Sequence, residues 1–253
     1  MFSKIDFNSA ETKPVSIITV TFNAEKTLDR AIESVLGQDV ALFDYYIIDG
    51  GSSDGTVDII KKYEDNLAGW LSEKDSGIYD AMNKGITYSR GKWIYFLGAD
   101  DVLAEGIIAK VLPYLTDDLS ILYGNVQFDN GYLMKSSFSK RILLQNTIHH
   151  QSAFYRRSNF LHFKYDTRLK AISDYELNLK IYLEKKKGTY LPMIIAFCDT
   201  GGVSAELDTS LKETNQIRGK YIYNDICNKF LSAALQLYYL QKKIRLKLYG
   251  HRV

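Results

Sequence analysis

The feature that most constrains the fold is an apolar run that ends in two adjacent carboxylates. Residues 93–97 are all aliphatic or aromatic, and Asp100 and Asp101 follow closely. Such a run is typical of a buried strand in a parallel sheet covered on both faces. Open α/β sheets bind ligands beyond the carboxyl ends of their strands. Carboxylates at that edge suit Mg²⁺ or Mn²⁺, although two aspartates can also simply start a turn and cap a helix.

Similar apolar runs alternate with amphipathic stretches through the first 115 residues. The runs predict strands, and the stretches with apolar residues every three or four positions predict helices. This alternation predicts an α/β fold with a mostly parallel sheet and right-handed crossovers. The predicted strands are 15–22, 45–48, 70–73 and 92–97, and the predicted helices are 28–37, 57–63, 78–88 and 103–115.

The second half of the chain has a more mixed pattern. Asn130 and Gly131 lie between two apolar runs and indicate a hairpin turn. We expect both halves of the chain to share one continuous sheet. The predicted elements here are strands at 121–128, 132–138 and 190–197 and a helix at 174–184.

Composition excludes several classes of protein. The two cysteines, Cys198 and Cys227, lack metal-ligand spacing and suggest a reducing compartment. Residues 1–13 have no apolar core, so they do not read as a signal peptide, and we expect a cytoplasmic protein. The net charge is +2, yet residues 226–253 carry six basic and no acidic side chains. Since the basic charge is confined to this tail, nucleic-acid binding is not expected.

A glycine-rich loop follows the second predicted strand. Asp49 ends the strand, and residues 50–56 contain three glycines that permit close approach of a ligand. The Asp49 carboxylate there can accept hydrogen bonds from a base or a ribose. The alternative is a plain turn in which a hydroxyl caps the next helix, and Asp54 fits that turn.

Polar residues are dense between 73 and 85, where a helix is predicted to begin. Lys84 suits a diphosphate, and Asp75 or Asp80 suits a nucleoside. The alternative is a solvated helix face.

Two further segments carry candidate functional groups. Ser173 and Glu176 have the spacing of a capping box, which leaves Asp174 unexplained at a helix start. An aspartate that faces a pocket from there can act as a general base. His150 and Gln151 are candidates for contact with an acceptor, and the alternative is a structural role. The sequence shows no third metal ligand near the adjacent histidine pair.

These segments occur together and in one order over residues 14–205. They resemble the family 2 glycosyltransferases, which have the GT-A fold. The stretch 77–85 is similar to the bacterial branch that builds surface polysaccharides, such as colanic-acid-type enzymes. The resemblance implies a Rossmann-like α/β domain that transfers a sugar from a nucleotide-sugar, most simply a UDP-sugar, to a hydroxyl group. The implied acceptor is a glycan, either free or linked to undecaprenyl diphosphate, in O-antigen, capsule or exopolysaccharide synthesis.

The resemblance also implies roles for individual residues. Asp100 matches the metal-binding aspartate of the D-x-D motif, and Asp101 supports or shares the Mn²⁺ or Mg²⁺ ion. Asp174 matches the catalytic aspartate of the [ES]-D motif, which implies a single displacement with inversion. The implied donor-binding residues are Thr21, Phe22, Asn23, Asp49, Asp75, Asp80, Lys84 and Asp100.

Two positions depart from the family pattern. The first aspartate of D-x-D is Gly98, and the second aspartate of the D-D-G-S loop is Gly50. These departures favour one alternative, a non-catalytic nucleotide- or glycan-binding subunit with a decayed site. A sugar nucleotidyltransferase is another alternative, but residues 23–26 lack the glycine-rich basic loop expected after the first strand.

The end of the chain predicts a basic amphipathic helix. Apolar residues recur at steps of three and four between Ile226 and Leu248. The domain prediction is therefore a glycosyltransferase domain at 1–225, with a nucleotide-sugar half at 14–115 and an acceptor half at 116–205, followed by a tail at 226–253. The tail either lies on the inner face of the cell membrane or docks on the body or on a second subunit of a homo-oligomer.

Overall fold

The computed structural model describes residues 2–5, 12–200, 207–222 and 224–249. A mixed sheet with helices on both faces forms the body of the protein. Its strands are β1 Phe2–Ile5, β2 Val15–Thr21, β3 Phe43–Asp49, β4 Gly69–Ser72, β5 Trp93–Gly98, β6 Val102–Leu103, β7 Ile121–Phe128, β8 Leu133–Lys135, β9 Ala153–Arg156 and β10 Gly188–Cys198. The helices are α1 Leu28–Leu36, α2 Thr56–Lys62, α3 Ile78–Tyr88, α4 Ile107–Val111, α5 Ser173–Leu183, α6 Leu207–Tyr221 and α7 Asp225–Tyr249.

The strand order along the sheet is β1-β4-β3-β2-β5-β9-β7-β10-β6, and β8 pairs with β7. Strands β2 to β5 are parallel to one another, and β9 is antiparallel to both β5 and β7. The chain winds outward from β2 to β4 and then returns to place β5 on the other side of β2. This reversal creates a crevice at the carboxyl ends of β2 and β5, where open α/β sheets bind ligands.

The central strands are apolar throughout because helices cover both faces of the sheet. Alternate side chains enter two cores. Ile17, Ile47 and Tyr95 belong to the core that α1, α2 and α4 cover. Ile18 and Phe96 belong to the core on the opposite face, with α3 and α5. The α/β class and the continuous sheet are therefore confirmed.

One predicted helix begins at the wrong residue. Residues 103–115 were expected to be helical throughout, but Val102–Leu103 forms β6 and pairs with β10. Helix α4 begins only at Ile107, after Gly106 in a left-handed conformation with φ of 63°. Pairing with β10 outweighs the local helical periodicity. The local pattern could not predict this pairing, because the partner strand lies far away in sequence.

The predicted capping box at the start of α5 is also wrong. Ser173 lies inside the first turn, and its hydroxyl accepts a hydrogen bond from the amide of Asp166 at 3.0 Å. Glu176 accepts bonds from the side chains of Lys220 and Tyr221 on α6. The Ser173 hydroxyl and the Glu176 carboxylate thus bond to other segments of the chain and do not cap the start of α5.

Helix α7 has two apolar sides. The helix contacts α6, and Leu235 is 1% exposed, whereas Ile226, Phe230 and Leu237 are 82%, 72% and 56% exposed. Among the described residues, no helix is long and apolar enough to cross a bilayer.

Candidate active site

A deep cleft opens at the carboxyl ends of β2 and β5, where the strand order reverses. Residues that follow β2 and β5 line it, together with residues 170–172 and the first turn of α5. Helices α6 and α7 contribute Ser210, Thr214 and Tyr239 to the lining. The cleft brings together most of the predicted site residues, namely Thr21, Phe22, Asn23, Asp75, Asp100, Asp101, His150, Gln151 and Asp174.

Thr21, at the end of β2, lines the cleft and carries an unsatisfied hydroxyl. Thr21 is buried, and its Oγ1 has no hydrogen-bond partner among the described residues. Phe22 is exposed at the mouth. Asn23 joins this loop to the glycine-rich loop, since its Oδ1 accepts a hydrogen bond from the amide of Ser53 at 3.0 Å. A buried hydroxyl without a partner is unusual in a folded protein, which makes Thr21 a candidate for contact with a ligand or an ordered water.

Asp49 organises the glycine-rich loop from below and does not line the cleft. Its side chain is buried, and Oδ2 accepts bonds from the amides of Gly51 and Ser52 at 3.1 and 3.0 Å and from the Ser72 hydroxyl at 2.6 Å. The Ser52 hydroxyl donates to Oδ1. Three of these bonds fix the loop and the fourth ties Asp49 to β4, and donor binding by Asp49 stays a prediction.

Asp75 lies directly over Gly50 at the cleft wall. A Cβ atom at Gly50 would lie 2.7 Å from Oδ2 of Asp75, so a side chain there would displace the carboxylate. The Asp75 Oδ1 accepts a hydrogen bond from the amide of Gly77 at 2.9 Å, and burial raises the pKa of the carboxyl. The missing family aspartate at position 50 thus leaves space that Asp75 occupies.

Lys84 and Asp80 lie outside the lining residues of the cleft. The Lys84 ammonium is 2.9 Å from Glu73 and 3.4 Å from Asp80, so two carboxylates neutralise it. Asp80 also accepts a bond from the amide of Ser76 at 3.1 Å. The geometry gives both residues a role in holding the segment that carries Asp75, and their contact with a donor stays a prediction.

Gly98 leaves room for the carboxylates at the end of β5. A Cβ atom there would overlap Oδ2 of Asp101 and lie 2.6 Å from Nε2 of Gln151 and 2.9 Å from Oδ1 of Asp100. Asp101 is buried, and its Oδ1 accepts a bond from the amide of Asp199 at 3.1 Å. Burial, with the nearby charge of Asp100, raises the pKa of Asp101 to about 7.

The carboxylates of Asp100 and Asp101 fit a divalent cation. Two adjacent acidic groups, one of them buried, are held in ionised form most easily by a bound cation. Among the described residues, no three His, Cys, Asp or Glu side chains assemble into a complete metal centre. A partial set of this kind suits Mg²⁺ or Mn²⁺, because such ions take their remaining ligands from substrate phosphates and water.

Asp174 faces the cleft from the first turn of α5. Its Oδ2 accepts a hydrogen bond from the Asn146 side-chain amide at 2.9 Å and lies 3.8 Å from Nδ1 of His150. Burial raises the pKa of Asp174 to about 7 and lowers the pKa of His150 to about 4. At neutral pH the imidazole is therefore uncharged, while the carboxyl is close to its midpoint.

The histidines and Gln151 form the floor between the two acidic centres. The rings of His149 and His150 stack with centroids 5.0 Å apart. Gln151 is buried, and its Oε1 accepts a bond from the Cys198 thiol at 3.3 Å. Its backbone carbonyl accepts the Tyr95 hydroxyl at 2.8 Å. Gln151 thus ties β5 to β10 beneath the cleft, and acceptor contact by His150 or Gln151 stays a prediction.

Two residues that hold Asp174 in place, Asn146 and Glu213, were not predicted from the sequence. Glu213 on α6 is buried and accepts bonds from the backbone amides of residues 170–172 at 2.7, 3.0 and 3.1 Å. These residues lead directly into α5 and Asp174. Neither Asn146 nor Glu213 belongs to a recognisable local motif, so the sequence contained no signal for them.

Comparison with known proteins identifies the family. The model for "Glycosyl transferase family 2" matches residues 16–173, more than half of the chain. The chain therefore belongs to glycosyltransferase family 2, as the motif order implied.

Curated relatives carry related descriptions. The chain is 32% identical over 200 residues to the PGL/p-HBAD biosynthesis glycosyltransferase Rv2957 of Mycobacterium tuberculosis (strain ATCC 25618 / H37Rv), covering 75% of this chain and 78% of that one. It is also 32% identical over 126 residues to the Escherichia coli UDP-Glc:alpha-D-GlcNAc-diphosphoundecaprenol beta-1,3-glucosyltransferase WfgD, covering 49% of this chain and 50% of that one.

Solved structures share the fold. S. aureus TarS 1-349 in complex with UDP-GlcNAc superposes with a TM-score of 0.70 at 17% identity, over 94% of this chain and 76% of that one. The mannosyltransferase PcManGT from Pyrobaculum calidifontis, in complex with GDP-Man and Mn²⁺, gives a TM-score of 0.65 at 14% identity, over 90% and 70%. The chain thus has the GT-A fold.

Proposed function

We propose that this family 2 glycosyltransferase transfers a sugar with inversion from a UDP-sugar to a hydroxyl group of a lipid-linked glycan. The observation that carries the proposal is that Asp174 and Asp100 line the same cleft, Asp174 from the first turn of α5 and Asp100 from the loop after β5. A single displacement needs a base on one side of the anomeric carbon and a stabilised leaving group on the other. The two acidic centres supply these two sides.

Asp174 is the proposed general base. A base works best when its pKa lies near the working pH, and burial raises the pKa of Asp174 to about 7. In the reaction Asp174 takes the proton of the acceptor hydroxyl, whose oxygen forms the new bond to the anomeric carbon. The bond from that carbon to the nucleoside diphosphate breaks, and the electron pair leaves with the diphosphate.

Asp100 and Asp101 are the proposed ligands for Mn²⁺ or Mg²⁺. When bound, the ion supplies positive charge next to the departing diphosphate. Arg30 lies on the same side of the cleft, since its guanidinium donates to the Asp100 carbonyl at 2.7 Å. The protein thereby holds the carboxylate segment against helix α1.

The nucleoside is assigned to the end of β2 and the loops after β2 and β4. Thr21 offers an unpartnered hydroxyl, Phe22 offers an exposed ring for stacking, and Asp75 offers a partly buried carboxylate. The UDP-GlcNAc complex of TarS, which shares the fold, supports a UDP-sugar as donor. The description of WfgD supports a diphosphoundecaprenol-linked acceptor.

The decisive experiment measures UDP release from a panel of UDP-sugars, with Mn²⁺ and with EDTA. The acceptor is an undecaprenyl-diphosphate-linked sugar, and a second series omits it. We expect metal-dependent release from one donor. Asp174→Asn should lose about 10²-fold or more of the rate while it keeps UDP affinity. Asp100→Ala should instead weaken UDP binding in Mn²⁺.

Asp117→Asn is the matched control, because Asp117 is an exposed partner of Lys92 and does not line the cleft. Its rate should equal that of the wild type. Near-normal turnover by Asp174→Asn would remove the base assignment. UDP affinity that is the same in Mn²⁺ and EDTA would remove the metal assignment.

We further propose that α7 lies on an anionic membrane surface at the inner face of the cell membrane. At 100° per residue, the exposed apolar residues of α7 other than Tyr238 fall within about 80° of one another around the helix. The docked Leu235 and Tyr239 lie on roughly the opposite side. The exposed stripe consists of Ile226, Phe230, Ala233, Leu237, Leu240 and Ile244.

Charge favours a membrane as the occupant of this stripe. The sequence of the tail carries six basic residues and no acidic ones, which suits anionic lipid headgroups. Tyr239, on the docked side of the same helix, lines the cleft. A membrane against the apolar stripe would therefore lie close to the site that receives a lipid-linked acceptor.

Co-sedimentation with vesicles of phosphatidylcholine and phosphatidylglycerol tests this assignment. We expect Leu237→Glu to reduce binding to anionic vesicles by about tenfold, since it replaces apolar burial with a repelled charge. Leu161→Glu is the control, because Leu161 is 74% exposed on a different segment. Unchanged binding by Leu237→Glu would refute the proposal. Loss of a dimer in light scattering, without any vesicle binding, would assign the stripe to a second copy.

A further inference from the structure

We infer that Asn146 is a positioning residue for Asp174, at the end of a directed chain of buried hydrogen bonds. This inference rests on the proposed role of Asp174 as the base. The chain starts at Tyr155 on β9, passes through Asn178 on α5 and ends on the carboxylate.

Each bond in the chain fixes the direction of the next. The Tyr155 hydroxyl donates to Oδ1 of Asn178 at 2.9 Å. The amide nitrogen of Asn178 then donates to Oδ1 of Asn146 at 3.1 Å, and Nδ2 of Asn146 donates to Oδ2 of Asp174 at 2.9 Å. Because an ionised carboxylate can only accept, Asn146 must turn its amide nitrogen to Asp174 and its oxygen to Asn178, so neither asparagine can flip without losing a bond.

The backbone around Asn146 is held as well. The Ile148 amide donates to Oδ1 of Asn146 at 3.4 Å. Two residues earlier, the carbonyl of Leu144 accepts a bond at 3.2 Å from the buried guanidinium of Arg218 on α6. That guanidinium also donates to the Ser232 hydroxyl of α7 at 2.9 Å. Helices α6 and α7 thus anchor the loop that presents Asn146.

The chemical effect of this chain is to favour the ionised carboxylate. A hydrogen bond to the charged form lowers the pKa of an acid, and it opposes the burial that raises the pKa of Asp174. Asn146 therefore limits the rise and keeps the base usable at neutral pH. It also leaves the carboxylate in one orientation. The ionisable groups that face Asp174 from neighbouring elements are His150, Tyr79, Tyr155, Tyr165 and Glu213.

The test is Asn146→Ala, read by the pH dependence of kcat/KM and by the carboxyl titration of ¹³C-labelled aspartates. The Asp174→Asn spectrum assigns the Asp174 signal. We expect the midpoint of Asp174, and with it the acid limb of the rate, to move up by about one pH unit. UDP affinity in Mn²⁺ should stay within about twofold of the wild type.

Two other variants complete the test. Tyr155→Phe frees only the far end of the chain and should move the midpoint in the same direction by less, which keeps the test open if Asn146→Ala does not fold. Asn125→Ala is the matched control, since it removes a buried asparagine bonded to Tyr190 at 2.9 Å outside the cleft. It should leave the midpoint unchanged.

The outcomes separate this inference from the function proposed above. Asn146→Ala and Tyr155→Phe could instead lower the rate equally at every pH and leave the titration midpoint of Asp174 unchanged. That result would overturn the role of Asn146 and leave the base assignment intact. Full activity of Asp174→Asn would overturn the base assignment itself. A shifted midpoint with unchanged UDP affinity supports the inference.

Discussion

Substitution of Gly98 gives the sharpest test of the packing at the end of β5. A methyl group at this position would overlap Asp101 Oδ2 and lie 2.6 Å from Gln151 Nε2 and 2.9 Å from Asp100 Oδ1. Overpacking of a filled site typically costs about 1–3 kcal/mol. For a domain of this size, that corresponds to a fall in Tm of about 2–12 °C. Gly98→Ala should therefore destabilise the protein measurably.

Gly98→Asp restores the family's usual carboxylate and should destabilise the protein more than Gly98→Ala. It adds a third negative charge beside Asp100 and Asp101, in space that their side chains already occupy. Saturating Mn²⁺ should recover part of the lost Tm, because the cation offsets the added repulsion.

Thermal unfolding followed by circular dichroism measures both substitutions. Gly219→Ala is the control, because the nearest atom to a new Cβ in α6 lies 3.5 Å away. Alanine in that helix should stabilise the protein by up to about 1 kcal/mol. A Gly98→Ala variant as stable as the wild type would refute the conclusion that Gly98 exists to make room for Asp101.

Three further predictions follow from single contacts. In the folded state the pKa of Asp174 is raised to about 7. Between about pH 4 and pH 7 the native protein therefore binds more protons than the unfolded chain, and the free energy of unfolding falls as the pH rises through that window. Asp174→Asn should therefore raise Tm more at pH 8 than at pH 4, and an equal change at both would contradict the burial effect. Glu213→Gln should lower stability by about 1–3 kcal/mol in urea unfolding and also reduce kcat, since residues 170–172 lose a charged acceptor. Thr21→Val removes a hydroxyl without a described partner, so it should leave Tm unchanged or higher while UDP affinity falls in calorimetry; unchanged affinity would exclude the hydroxyl from the donor site.

Sequence analysis predicted the parts of the fold that depend on local periodicity. The alternating apolar and amphipathic segments located β2, β3, β5 and α3 to within two residues at each end. The predicted hairpin is present as β7 and β8, although the second strand is shorter. These elements follow the sequence because buried parallel strands and amphipathic helices each carry their own signal.

The failures occurred where a distant partner decides the structure. Val102–Leu103 became a strand because β10 lies beside it, and Ser173 bonded to the 166 amide instead of capping its own helix. The departures at Gly50 and Gly98 were visible in the sequence, but their reason was not. Neighbouring carboxylates fill both spaces, and only the three-dimensional arrangement contains that information.

The position of α6 and α7 has a consequence for protein engineering. The family match ends at residue 173, one position before Asp174. Glu213 and Arg218 lie further along the chain. Glu213 bonds to the segment that leads into α5, and Arg218 bonds to Leu144 in the loop that carries Asn146. Specificity grafts between relatives should therefore exchange the loops and these two helices together. A chimera joined at the end of the family match would take residues 170–172 and Leu144 from one parent, and Glu213 and Arg218, which bond to them, from the other.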